Sequence, residues 1–317
     1  MNKALVTGGA GFIGSHLSNA LLLDGWQVYV LDNLSTGFRE NIPKRAKFLK
    51  IDLSHEDFIK KIPQVKFDAI FHLAAQSSGE ISFDDPVYDL KVNCLSTLRL
   101  LDWAYKNGAK RFIYASSMSV YGEQDIQPVR ESAAVAPKSF YGIGKLASER
   151  YIDIYSAMGL ETTSLRLFNV YGPYQNLDNL RQGMVSIYMA YILKNKELFV
   201  KGSAERFRDF IYITDVIAAI LQCLNKRSTF GRCYNVATGI KTTVRELIQQ
   251  ELEGFDCDHR AYPVKYGNPT PGDTFGIYAD ISSIKKDTGW SPQVLLKDGL
   301  IEMINWSRGS VQGNSKR

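Results

Sequence analysis

The chain has 317 residues, 45% of them hydrophobic, and a formal net charge of +5. That length suits one large domain or two closely joined ones, and the apolar share suits a globular protein with a sizeable core. The Lys and Arg residues are scattered, which argues against a nucleic-acid groove, while a mild positive excess suits a substrate carrying phosphates. Cys94, Cys223, Cys233 and Cys257 lie far apart with no CxxC pair. They speak against a zinc site or a disulfide framework, so no metal is expected, and for a reducing compartment. The strand-like ALVTGG that follows Lys3 is no signal-peptide pattern, and no apolar run nears the ~20 residues of a membrane span. The expectation is a soluble, cytoplasmic protein that binds no membrane.

In chain order, strands are expected at Lys3–Thr7, Gln27–Asp32, 46–50, 69–73, 111–116 and Glu161–Leu167. These runs are short, rich in Val, Ile, Leu and Phe, and lack strict alternation, as suits strands buried on both faces of a parallel sheet. Helical periodicity fills 11–24, 86–107 and 140–158. Strand–helix–strand repetition implies right-handed crossovers and an α/β, doubly wound parallel sheet of Rossmann type. After about residue 172 the rhythm changes, with longer Gly- and Pro-rich loops at 171–176 and 262–276. Residues 1–170 are therefore expected to form the dinucleotide-binding domain, with about 207–238 returning to it, and 209–213 and 233–237 as its further strands. Residues 171–206 and 239–317 are expected to form a smaller, mixed α/β substrate domain. The polar tail from Arg308 onward is expected to fray.

The first motif is Thr7-Gly8-Gly9-Ala10-Gly11-Phe12-Ile13-Gly14, joining the first strand to the first helix. Glycines at 8, 11 and 14 allow a tight turn, close approach to a pyrophosphate, and close helix–strand packing. The helix N-terminus supplies free N–H groups and partial positive charge. Asp32 ends the second strand, where an acid binds ribose hydroxyls. Its carboxylate repels a 2′-phosphate and so favours NAD over NADP. The alternative for Asp32 is a strand-end cap.

The second constellation is Tyr141-Gly142-Ile143-Gly144-Lys145, which puts Tyr and Lys on one helix face. A free tyrosine titrates near ~10, too high for a base at neutral pH. A neighbouring ammonium and a positive nicotinamide ring both favour the phenolate and lower that value. The pair then removes a proton from a sugar hydroxyl while hydride leaves the same carbon. The alternative is a surface Tyr beside an extended Lys. Ser116-Ser117-Met118-Ser119-Val120-Tyr121-Gly122 ends the fifth strand, where strand ends face the ligand crevice of a doubly wound sheet. A hydroxyl there shares the substrate proton with Tyr141.

In these motifs the chain resembles the extended short-chain dehydrogenase/reductases, and among them the nucleotide-sugar epimerases and dehydratases, most of all the UDP-sugar 4-epimerases. The likeness covers nearly the whole length. Besides TGGAGFIG, SSMSVYG and YGIGK it includes Asp52-Leu53, His72-Leu73-Ala74-Ala75, Arg166 to Pro173 (RLFNVYGP), Arg208-Asp209-Phe210-Ile211-Tyr212, and Pro271-Gly272-Asp273 followed by Ala279-Asp280. The resemblance implies a catalytic set of Ser117, Tyr141 and Lys145. It implies NAD held by Gly8, Gly11, Phe12, Ile13, Gly14, Asp32, Asn33, Asp52, Leu53, Ala74, Ala75, Asn93, Ser116, Tyr141 and Lys145, with His72 on the cofactor side rather than acting as a base. It implies a nucleotide-diphosphate sugar held by Ser117, Ser119, Tyr141, Asn169, Asn179 and Leu180, opposite Phe199 and Arg208. A guanidinium fork suits phosphate oxygens. The alternative for Arg208 is an ion pair with Asp209 or Asp215.

The resemblance also narrows the reaction. Dehydratases of the family carry Thr-Asp-Glu where this chain has Ser117-Met118-Ser119. Decarboxylases usually keep a Glu at the position of Ser119, and 3,5-epimerase-reductases a Cys. What remains is oxidation at C4, turnover of the 4-keto sugar, and return of hydride to the opposite face. One-directional dehydrogenation or ketoreduction uses the same residues and is the second reading; a non-catalytic NAD-binding regulatory module is the third. Many relatives have an Arg two residues before Gly272, where this chain has Thr270; Arg181, Arg206 or Lys265 are candidates to compensate. Ile277 falls where epimerases vary residue size to admit or exclude an N-acetyl group. The helices near 90–107 and 140–158 match those that pair across a homodimer; burial within one subunit is the alternative.

Overall fold

The structure, a computed structural model, describes residues 1–314, and side chains as far as residue 309. Its strands are β1 (Lys3–Thr7), β2 (Gln27–Asp32), β3 (Lys47–Lys50), β4 (Ala69–His72), β5 (Arg111–Ser117), β6 (Glu161–Leu167), β7 (Asn169–Tyr171), β8 (Leu198–Lys201), β9 (Phe207–Arg208), β10 (Phe210–Tyr212), β11 (Arg232–Val236), β12 (Thr242–Thr243) and β13 (Val264–Gly267). Its helices are α1 (Phe12–Leu23), α2 (Pro86–Leu90), α3 (Ser96–Lys106), α4 (Phe140–Ala157), α5 (Met184–Leu193), α6 (Ile213–Asn225), α7 (Val244–Gly254), α8 (Ser282–Thr288) and α9 (Leu296–Asn314).

Seven strands form one parallel sheet in the order β11-β6-β5-β4-β1-β2-β3. The apolar runs are continuous because both faces are covered. Along β1, Val6 packs with Leu17 of α1 and Val216 of α6 on one face, while Leu5 packs with Trp103 of α3 and Ile152 of α4 on the other. Successive side chains of a strand point to opposite faces, so a single run serves both layers. The order of the strands reverses between β1 and β4. Ligands bind at the carboxyl ends of strands beside such a reversal.

The chain departs from expectation in three places. The helical stretch 86–107 is not one helix: α2 and α3 are joined by a π-helical segment, Lys91–Leu95. Residues near 209–213 do not join the main sheet. β10 pairs with β7 instead, whereas β11 does extend the sheet beside β6. Finally, the polar tail does not fray from Arg308, because α9 continues to Asn314. Apolar residues Leu300, Met303 and Ile304 anchor that helix in the core; residues 315–317 lie outside the described residues. No helix among the described residues is long and apolar enough to cross a membrane.

Candidate active site

Two cavities open at the carboxyl ends of the sheet strands. The first, of about 420 Å³, runs from the β1–α1 turn across the ends of β2 and β4. Gly8, Gly11, Phe12, Ile13, Gly14, Asp32, Asn33, Asp52, Leu53, Ala74 and Ala75 all line it. The glycines are sterically required. A Cβ on Gly14 would stand 2.2 Å from the Gly8 carbonyl oxygen, and one on Gly8, at φ +71°, would stand 2.8 Å from the Ala74 nitrogen. Gly11 caps α1 with no side-chain hydrogen bond, so the first N–H groups of the helix are left to a ligand in the cavity, as an anion requires.

Asp32 accepts from the amides of Ala10 (2.9 Å) and Leu34 (2.8 Å), which fixes its carboxylate on the cavity wall. Burial raises its carboxyl, and these amides offset part of the rise. Asp52 is also buried in part, but hydrogen bonds from Ser54 and Asn33 outweigh that and hold it below the usual range. Among the described residues no lysine or arginine lines this cavity. A backbone cradle, an uncapped helix start and two carboxylates fit a dinucleotide with free ribose hydroxyls and disfavour one with a 2′-phosphate.

The second cavity, of about 270 Å³, lies beside the first. Ser119, Asn169, Leu180, Phe199 and Arg208 line it, together with Met118 and Thr270. Four cations (Arg181, Lys201, Arg206 and Arg208) face it against two carboxylates, Glu80 and Asp273. Glu80 bonds Lys201 (2.6 Å) and Arg181 (3.1 Å). Asp273 bonds both Arg206 and Arg208. The two cavities share Ser77 and Gln182, whose side chains are hydrogen-bonded to each other at 2.5 Å.

Ser117, Tyr141 and Lys145 come together, but all three are buried and none lines either cavity, contrary to the expectation that they touch cofactor or substrate. Ala115 lines the first cavity and Met118 and Ser119 the second, with Ser117 between them on the chain. Ser139 caps α4 by accepting from the Gly142 amide, which starts the helix so that Tyr141 and Lys145 fall one turn apart. The Lys145 ammonium donates to the Ala115 carbonyl at 2.7 Å and lies over the Tyr114 ring. Burial pushes the Tyr141 phenol up to about 12, and the nearby Ser117 hydroxyl offsets only part of that. Burial also pushes Lys145 down to about 7, against the pull of Asp89 and Glu149. The expectation that the amine lowers the phenol is thus corrected for the chain alone. Both groups are desolvated, and the ammonium is aimed at a carbonyl.

Other placements also differ from the sequence reading. Ser116 does not line the cofactor cavity. It points to the opposite face of β5 from Ala115 and donates to Glu149 (2.5 Å), which is itself paired with Arg166. Asn93 is buried behind the wall, donating to the Gln76 carbonyl and to Asp89. His72 is buried between the hydroxyls of Thr7 and Thr97, and burial lowers it to about 3. Asn179 lines the first cavity, not the second, so it is parted from Leu180. Arg208 pairs with Asp273 rather than Asp209 or Asp215; Asp209 instead accepts from Thr238 and Gly239. Arg181 and Arg206 reach the second cavity and Lys265 does not, while Ile277 is buried in a small apolar cluster and does not line it. Missed by the sequence reading were Ser35, Thr36, Gln76, Ser77 and Gln182. Their loops carry no periodic signal; the clustered small and polar residues of 33–37 were the one available sign.

A dinucleotide cradle, a Tyr–Lys pair and a strand-end serine define a Rossmann enzyme of the extended short-chain dehydrogenase/reductase class. Residues 4–237 match the model of the NAD dependent epimerase/dehydratase family, and the chain belongs to that family. The UDP-glucose 4-epimerase of Mycolicibacterium smegmatis is 33% identical over 317 residues, covering 98% of this chain and all of that one. A crystal structure of a Thermotoga maritima UDP-glucose 4-epimerase with UDP-glucose matches at TM-score 0.93 and 36% identity, covering 98% of this chain and 99% of that one. A Thermus thermophilus UDP-glucose 4-epimerase in complex with NAD matches at TM-score 0.88 and 34% identity, covering 97% and 99%. The cofactor of this chain is NAD.

Proposed function

We propose that the chain inverts C4 of a UDP-hexose of the glucose/galactose type. It is an NAD-dependent nucleotide-sugar 4-epimerase. The observation that carries the reading is the pair of adjoining cavities of opposite charge that share Ser77 and Gln182. Held in the first cavity by the Gly8–Gly14 turn, Asp32 and Asp52, NAD would supply the hydride acceptor and donor for C4. In the second cavity Arg206 and Arg208 hold the diphosphate, since the lining cations outnumber the carboxylates even when Asp84, bonded to Arg181 at 2.6 Å, is counted. Arg206 then stands in for the arginine missing at Thr270. Asn169 and Ser119 contact the sugar, and Leu180 and Phe199 enclose the nucleotide. The Tyr141 phenolate takes the C4 hydroxyl proton and gives it back, Ser117 shares that proton, and Lys145 orients the nicotinamide ribose.

No elimination of water is supported. Glu80 and Asp273, the two carboxylates lining the second cavity, are both held in ion pairs. Met118 and Ser119 offer no acid. On this reading residues 1–170 and 207–238 serve the cofactor, and 171–206 and 239–317 the substrate. Exposed Val87, Leu90, Tyr105, Ile143 and Ile154 on α2, α3 and α4 support a homodimer through those helices. The test is to incubate purified protein with UDP-glucose or UDP-galactose and follow both sugars and free NADH. Interconversion without accumulating NADH supports the epimerase. Net NADH would favour a one-way dehydrogenase, and NAD binding with no turnover of any sugar would favour a regulatory module.

A further inference from the structure

Asp89 is a charged group that the proposed chemistry leaves unused. It is 1% exposed, at the end of α2 where the chain passes into the π-helical segment. Its Oδ2 accepts from the Gln76 and Asn93 side-chain amides, each at 2.9 Å. Both donors are neutral. Gln76 lines the cofactor cavity, so Asp89 stands directly behind that wall. α4 packs against it at Gly144, where a Cβ would stand 3.2 Å from the Asn93 Cβ and 3.6 Å from Asp89 Oδ1. Gly144 immediately precedes Lys145. A π segment shifts a helix face by one residue and recurs at functional sites.

The other groups around Lys145 are already committed. On its own helix, Tyr141 is the acid/base, and Glu149 is bonded by both Arg166 of β6 and Ser116 of β5. Tyr114 of β5 presents its ring to the ammonium, and His72 of β4 is held neutral between two threonines. Asp89 is the remaining carboxylate. We propose that Asp89 is a positioning residue: fixed by Gln76 and Asn93, its carboxylate keeps the Lys145 ammonium charged where the cofactor and Tyr141 meet. Consistent with this placement, burial depresses Lys145 while Asp89 is the first group to oppose it. Burial in turn raises Asp89, and Gln76, Asn93 and Lys145 oppose that rise. The inference rests on the reading that Tyr141 and Lys145 carry the chemistry.

The test is Asp89→Asn, which keeps the shape and removes the charge. Loss of a buried anion disfavours the ammonium, so Lys145 titrates at lower pH. The limb of the kcat/KM profile governed by Lys145 moves down by about one pH unit, with about a fivefold loss at pH 7 that approaches tenfold at higher pH and bound NAD unchanged. A second readout follows the Lys145 Nζ signal in ¹⁵N-lysine-labelled protein, assigned by its disappearance in Lys145→Met; it shifts in the same direction. Gln76→Met gives a smaller shift of the same sign and serves if Asp89→Asn does not fold. Uniform loss of rate with neither limb nor signal displaced overturns the proposal and leaves Asp89 a packing residue. If the wild-type chain turns over no nucleotide sugar, the epimerase reading fails while the Nζ titration still decides the coupling.

Discussion

The two cavities share Ser77 and Gln182 but are built from opposite materials. The first is backbone: a glycine turn, an uncapped helix start and strand ends, with carboxylates as the only charged groups among the described residues that line it. The second is side chains: long cations and their carboxylate partners, brought together from residues 80, 181, 201, 206, 208 and 273. A backbone cradle is rigid because a Cβ added at Gly8, Gly14 or Gly37 collides with main chain. A lattice of ion pairs is exchangeable, since an arginine can leave an aspartate for a phosphate. The difference assigns capture of a resident cofactor to the first cavity and exchange of substrate to the second.

Tyr141→Phe should produce the largest effect, since the phenol is the proposed acid/base. General acid–base catalysis is worth about 10²–10⁴-fold, so kcat should fall by roughly 10³-fold while bound NAD, read from the absorbance of denatured protein, stays unchanged. Arg208→Met should separate the cavities. A hydrogen bond to a charged group contributes about 1.5–3 kcal/mol, so UDP affinity by calorimetry should weaken by roughly 10–100-fold with NAD content intact. Equal loss of both ligands would mean the cavities are not independent. Asp32→Ser should do the reverse: NADP binding should improve by about tenfold, an effect of ~1.4 kcal/mol, with UDP affinity unmoved. The smallest change is expected from Ile154→Glu on the exposed face of α4. It should shift the sedimentation profile toward monomer while changing NAD content by less than about twofold, as surface substitutions away from a site do.

The same contrast explains what the sequence revealed. The first cavity is local: its glycines lie within seven residues, Asp32 follows one strand later, and the apolar runs place both on a parallel sheet. The strand Lys3–Thr7 was legible because burial on both faces gives it a central apolar run, whereas Glu161–Leu167 is buried from Thr162 onward with a largely polar sequence. Arg208 was legible as a residue near phosphate but not as the partner of Asp273, because nothing local joins positions 65 residues apart. Ser116 and Asn93 were misplaced because a motif names neighbours in sequence, while the pleat of β5 and the π segment decide which of them face the crevice. The joining of β10 to β7 escaped for the same reason: a three-residue apolar run carries no address.

The central claim is that one phenol handles the proton while the hydride never leaves the enzyme. It is tested most directly with UDP-glucose deuterated at C4, turned over by the purified holoenzyme in ordinary water. The account predicts UDP-galactose with deuterium retained at C4 and none lost to solvent. Washout of that label, or solvent hydrogen appearing at C5, would contradict it.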